Sequence, residues 1–116
     1  YRRQRQMCIR DSGNVEGMHA IVIDDLIDTG DRIVDSYKAL SAAGALDVYA
    51  AATHGVFSRG AVDRIKHLGL KKVVITDTIQ LDPKHQFEGL DQISVGPMLG
   101  KAIKLINSNQ SIHVLF

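Results

Sequence analysis

Residues 20–30, Ala-Ile-Val-Ile-Asp-Asp-Leu-Ile-Asp-Thr-Gly, limit the possible folds more than any other stretch of the chain. Four apolar residues predict a buried strand, and Asp24, Asp25 and Asp28 set three carboxylates at or beyond its end. Thr29 and Gly30 then make a tight turn whose backbone N–H groups can face an anion, and the helix that follows adds its positive end to the same place. Adjacent carboxylates accept hydrogen bonds from neighbouring hydroxyls, directly or through the waters of a metal ion. A phosphorylated sugar satisfies both halves of such a site.

The rest of the chain repeats the strand-then-helix pattern. β-Branched runs at 20–24, 47–52, 72–76 and 92–95 predict four strands. Ile33, Tyr37 and Leu40 recur at helical spacing, with Gly44 as a stop, and predict a helix over 32–43. Val62, Ile65 and Leu68 predict a short, surface-lying helix over 60–68. Leu99, Ala102, Ile103 and Ile106 predict a third helix over 97–107, with Pro97 in its first turn and Lys101 and Lys104 towards water. Residues 80–90, with Pro83 and Gly89, form the one long loop. Strands joined by helices imply an α/β fold with parallel pairing, in which ligands bind beyond the carboxyl ends of the strands. Thr53, His54, Thr76, Asp77 and Thr78 should therefore share an edge with the acidic turn.

Length and composition set outer bounds. A chain of 116 residues with 45% hydrophobic content can bury one core and not two. The net charge of +1 is local, since Arg2, Arg3, Arg5 and Arg10 face only Asp11 within residues 1–12. That segment looks like a foreign, adapter-like tail, leaving 13–116 as the folded unit. Cys8, the sole cysteine, lies inside it, so neither a disulfide framework nor a thiolate metal site is expected. No apolar run approaches the roughly 20 residues of a membrane helix. A soluble, cytoplasmic protein that binds neither membrane nor nucleic acid is expected. His19, His67 and His85 are isolated, no two histidines have metal-ligand spacing, and His54 or Asp77 could carry a proton or simply complete a loop.

The acidic turn resembles the phosphoribosyl-pyrophosphate (PRPP) signature, a hydrophobic strand followed by Asp-Asp-x-x-x-Thr-Gly, shared by phosphoribosyltransferases and PRPP synthetases. Four further segments look in order like the C-terminal part of the ribose-phosphate pyrophosphokinase family: Val-Tyr-Ala-Ala-Ala-Thr-His-Gly-Val-Phe-Ser at 48–58, Val-Val-Ile-Thr-Asp-Thr-Ile at 73–79, Ile-Ser-Val-Gly-Pro-Met-Leu at 93–99 and Gln-Ser-Ile-His-Val-Leu-Phe at 110–116. The resemblance covers about residues 14–116. It implies a partial type I phosphoribosyltransferase-like domain, a parallel sheet flanked by helices. It also implies an enzyme that transfers diphosphate from ATP to ribose 5-phosphate with Mg2+, making PRPP for nucleotide biosynthesis, in a homo-oligomer that is hexameric in the family.

Carried over residue by residue, the resemblance gives the ribose hydroxyls to Asp24 and Asp25 and the 5-phosphate to Asp28, Thr29, Gly30, Asp31 and Arg32. Ser111 and His113 fall where the family builds a regulatory phosphate or ADP site at a subunit interface, His113 replacing a serine, and Val114, Leu115 and Phe116 are expected at that interface. The catalytic Lys and Arg, the magnesium ligands and most adenine contacts of the family precede the matched stretch, so the chain should hold sugar phosphate without turning it over. The turn departs from the family at Asp31 and Arg32, where Gly-Thr or Ala-Gly-Thr is usual. A carboxylate about 4 Å from a phosphate costs on the order of 4 kcal/mol at an effective dielectric of about 20, so Asp31 must point away or be offset by Arg32. Alternatively it caps the helix, competing with phosphate for the same donors.

Other classes share parts of the pattern. A non-catalytic paralogue of the synthetase would keep this half, and a purine or pyrimidine phosphoribosyltransferase would keep the acidic turn without the segments at 53–58 and 111–116. A phosphoacceptor receiver domain would need a Lys at a later strand end, where the strand ending at Val95 has none.

Overall fold

A computed structural model of the chain describes residues 13–116; the adapter-like tail predicted at 1–12 lies outside the described residues. The elements are β1 (Ala20–Ile27), α1 (Asp31–Ala42), β2 (Val48–Gly55), α2 (Ala61–Lys66), β3 (Lys72–Thr76), β4 (Leu90–Ile93) and α3 (Gly96–Asn107), with 3-10 turns at Pro83–His85 and Ile112–Leu115. The four strands form one sheet in the order β1-β2-β3-β4, every pair parallel. This is the expected α/β pattern, and α1 begins and ends within one residue of its predicted bounds.

The strand ends differ. β1 was expected to stop at residue 24, yet it runs to Ile27 because Asp24, Leu26 and Ile27 stay in register with Ala52, His54 and Gly55. Aspartate is a poor strand former, but ladder pairing with a neighbour overrides that preference. β2 extends to Gly55 for the same reason. β4 starts at Leu90 instead of residue 92, since Leu90 docks into the core and Ser94 and Val95 already turn into α3. The long loop at 80–90 is shortened accordingly and carries its own 3-10 turn, in which Asp82 accepts from the Lys84 amide at 3.0 Å.

A single cluster forms the core: Ile27, Ile33, Ala50, Ala52, Phe57, Ala61, Ile65, Val73, Ile75 and Leu90. It joins one face of the sheet to α1 and α2. The short second helix, predicted to lie on the surface, instead buries Ala61 and Ile65 completely, each large apolar side chain so buried contributing about 1.5–3 kcal/mol. The expectation of a buried first strand is corrected as well, for Ile21 and Ile23 are 64% and 78% exposed on the face that α1 and α2 do not cover. α3 packs chiefly on the terminal turn, and its apolar stripe of Leu99, Ile103 and Ile106 stays exposed beside the solvated Lys101 and Lys104. Among the described residues no helix is long and apolar enough to cross a membrane.

Candidate functional site

The end of β1 and the start of α1 enclose a concavity of about 310 Å³ lined by Asp25, Leu26, Ile27, Asp28, Thr29, Gly30, Asp31, Arg32 and Ile33. Six of the seven residues picked out from the sequence therefore share one hollow. Asp24 does not. It stays beside Asp25 all the same: the two carboxyl groups are hydrogen-bonded, and Asp24 Oδ1 also accepts from the Asp25 amide at 2.9 Å. Asp24 borders a shallower hollow with Ile23, Ala51, Thr53, Val74 and Thr76, and Arg32 reaches it with Nη1 3.3 Å from Oδ2.

The loop is shaped from both sides. Gly30 caps α1 with φ +87°, a left-handed conformation, and a β-carbon there would lie 3.1 Å from the Ile65 side chain. Only glycine meets both demands. No side chain caps the helix, so the suggestion that Asp31 does so is corrected: it is the first helical residue, and its own amide donates to Thr29 Oγ1 at 3.3 Å. The carboxylate of Asp31 is offset by Arg64, at 3.9 Å, where sequence reasoning had looked to Arg32.

Two features of this site escaped sequence reasoning. Arg64 donates from Nε and Nη2 to the Thr29 carbonyl at 2.9 and 2.7 Å, a contact 35 residues apart in sequence and without a local signal. The segment after β2 pins the end of β1: the amides of Val56 and Phe57 both donate to Ile27 O at 3.0 Å, and Ser58 N donates to Asp28 O at 3.0 Å. Phe57, buried at 2% exposure, has a φ of +49° to make this possible.

Electrostatically the hollow is suited to hydroxyls near its strand end. Asp25 is held below the usual carboxylate range, first by its hydrogen bond with Asp24, then by the Leu26 amide, with Arg32 adding a smaller effect. It is therefore an ionised acceptor at neutral pH.

The neighbouring strand ends come together as expected. His54 Nδ1 lies 2.7 Å from Thr78 Oγ1, and Thr76 Oγ1 donates to Thr53 O at 2.6 Å. Asp77 turns to a structural task, accepting from the Val95 amide at 2.8 Å where α3 begins. Hydrogen bonds from the Ser94 hydroxyl and the Val95 amide hold its carboxyl below the ordinary value. Ser111 and His113 sit in the terminal turn, where the His113 amide donates to Ser111 Oγ at 3.1 Å. Among the described residues no three His, Cys, Asp or Glu side chains gather to hold a metal ion.

The chain is similar to known proteins in both sequence and fold. The family model for the phosphoribosyl synthetase-associated domain matches residues 3–116. A relative from Lactiplantibacillus plantarum is 50% identical over 104 residues, covering 90% of this chain and 32% of its own length. The ribose-phosphate pyrophosphokinase of Bacillus subtilis is 44% identical over 104 residues, covering 90% of this chain and 33% of its own. The crystal structure of phosphoribosylpyrophosphate synthetase from Mycobacterium smegmatis superposes with a TM-score of 0.81 at 37% identity, over 84% of this chain and 33% of that one. The chain thus spans about a third of the length of the relatives it matches.

Proposed function

The chain belongs to the phosphoribosyl synthetase-associated domain family, and on that premise we propose that the hollow at the head of α1 receives ribose 5-phosphate, as the sugar-binding portion of a ribose-phosphate pyrophosphokinase. The observation that carries the reading is the lining itself: Asp25 and Asp28 share one concavity with Thr29, Gly30 and the uncapped start of a 12-residue helix. An anion at a helix N-terminus is favoured by the exposed amides and by the helix dipole. Carboxylates one sugar ring away accept from vicinal hydroxyls.

In the reaction the sugar's 1-hydroxyl attacks the β-phosphorus of ATP, the bond from that phosphorus to the α-phosphate oxygen breaks, and AMP leaves. The protein's contribution to such a transfer is positioning and charge neutralisation. On this reading Asp25 orients the hydroxyls, Asp24 assists beside it when Arg32 releases it, and the backbone from Asp28 to Arg32 holds the phosphate. Magnesium keeps most of its waters and takes one or two carboxylates together with substrate phosphates, a donor set that Asp24 and Asp25 fit. When bound it would neutralise charge on the phosphates of ATP. The side chains for ATP lie outside the matched third, so the chain alone holds sugar phosphate and does not turn it over. The exposed tail, with Val114 at 72% and Phe116 at 89%, supports a subunit contact in a homo-oligomer.

Titration calorimetry tests the reading. Ribose 5-phosphate should bind with a dissociation constant of about 1 mM or tighter, unphosphorylated ribose should give no heat, and Asp25→Asn should weaken binding about tenfold. With ATP and magnesium added, no PRPP should form. Absence of ribose 5-phosphate binding would overturn the site assignment, and PRPP formation by the chain alone would overturn the division of labour.

A further inference from the structure

Resting on the reading of this hollow as a phosphate site, we infer that Arg64 of α2 is the positioning residue of the loop, setting the direction of its amides and drawing the charge of Asp31 off the phosphate. Nε and Nη2 both donate to a single carbonyl, that of Thr29, at 2.9 and 2.7 Å, and Nη2 lies a further 3.4 Å from Arg59 O. The peptide between Thr29 and Gly30 is planar and trans, so its C=O and its N–H point in opposite directions. Anchoring the carbonyl on α2 therefore turns the Gly30 N–H away from α2, and in the bound state that donor serves the phosphate.

The same guanidinium meets the acid that sets this loop apart. Asp31 Oδ1 lies 3.9 Å from Arg64 Nε, and the Asp31 side chain is 75% exposed. A carboxylate at the head of α1 would repel a phosphate at the same amides, and the neighbouring cation offsets that repulsion. Space for the arrangement comes from Gly60, whose φ is +80° and where a β-carbon would lie 3.0 Å from Arg64 Nη1. Arg64 thus folds back over the start of its own helix to reach a loop 35 residues earlier in the chain. The planar fork permits two parallel donations to one oxygen, which a lysine ammonium cannot reproduce.

The test uses the whole 116-residue chain. Arg64→Lys keeps a positive charge beside Asp31 but loses the fork. The melting temperature should hold, NMR order parameters of the Gly30 and Asp31 amides should fall without ligand, and ribose 5-phosphate affinity should fall about tenfold. Arg64→Gln also removes the charge and should weaken binding further, and adding Asp31→Asn to that variant should restore part of the loss, a rescue that a purely structural arginine would not show. Unchanged order parameters and affinity in Arg64→Lys would overturn the positioning role, and failure of Asp31→Asn to rescue would overturn the electrostatic one. If the unaltered chain takes no ribose 5-phosphate, the reading of the hollow fails, and unchanged order parameters at Gly30 in Arg64→Lys would then overturn the clamp by themselves.

Discussion

At the scale of single residues, Gly30 shows how closely chemistry and packing are joined. It stands in a left-handed conformation at the mouth of the hollow with its α-carbon against Ile65. Gly30→Ala should destabilise the fold by about 1–2 kcal/mol from backbone strain alone, with the contact to Ile65 adding to it. Urea denaturation measures this, and a midpoint equal to that of the unaltered chain would contradict it. The residue types of the site were legible in the sequence, because Asp25, Asp28, Thr29 and Gly30 are close together in the chain and chemically distinctive. Their setting was not. The extension of β1 to Ile27 depends on pairing with His54 and Gly55, and the Arg64 contact depends on how α2 packs. Both are long-range outcomes that no local pattern encodes.

At the scale of elements, α1 was legible because its stripe and its terminating Gly44 are strong local signals. α3 was legible in extent, but its surroundings were not, for periodicity tells which residues share a face and says nothing of what covers it. The start of α3 is fixed by Asp77, which reaches from the end of β3 to the Val95 amide. Such a carboxylate, more acidic in the folded chain than in the unfolded one, stabilises the fold fully above the unfolded aspartate value of about 3.9. That contribution is lost as pH falls through the lower folded value. Asp77→Asn keeps an acceptor but cannot titrate. Acid unfolding of that variant should show a slope smaller by up to about one proton between pH 4 and lower values, with stability at pH 7 reduced by the contribution the ionised carboxylate makes there. An identical acid limb in both proteins would refute the assignment.

At the scale of the whole molecule, the described residues cover the sheet on one face only. Ile21, Ile23 and Ile93 stand 64%, 78% and 58% exposed, and Leu99, Ile103 and Ile106 of α3 are exposed as well. The α/β class and the parallel order followed from the alternation of strand and helix signals. The bare face did not, because apolar residues in a strand look alike whether or not a partner layer exists. Sedimentation velocity of the purified chain should show concentration-dependent association at micromolar protein, reduced by Ile23→Lys. A monomer at every concentration would contradict this. The same half-clad sheet has a consequence inside a cell. Chaperones and proteases survey unshielded hydrocarbon, so the abundance of this polypeptide would be governed less by its own folding equilibrium than by how soon something else shelters that side of it.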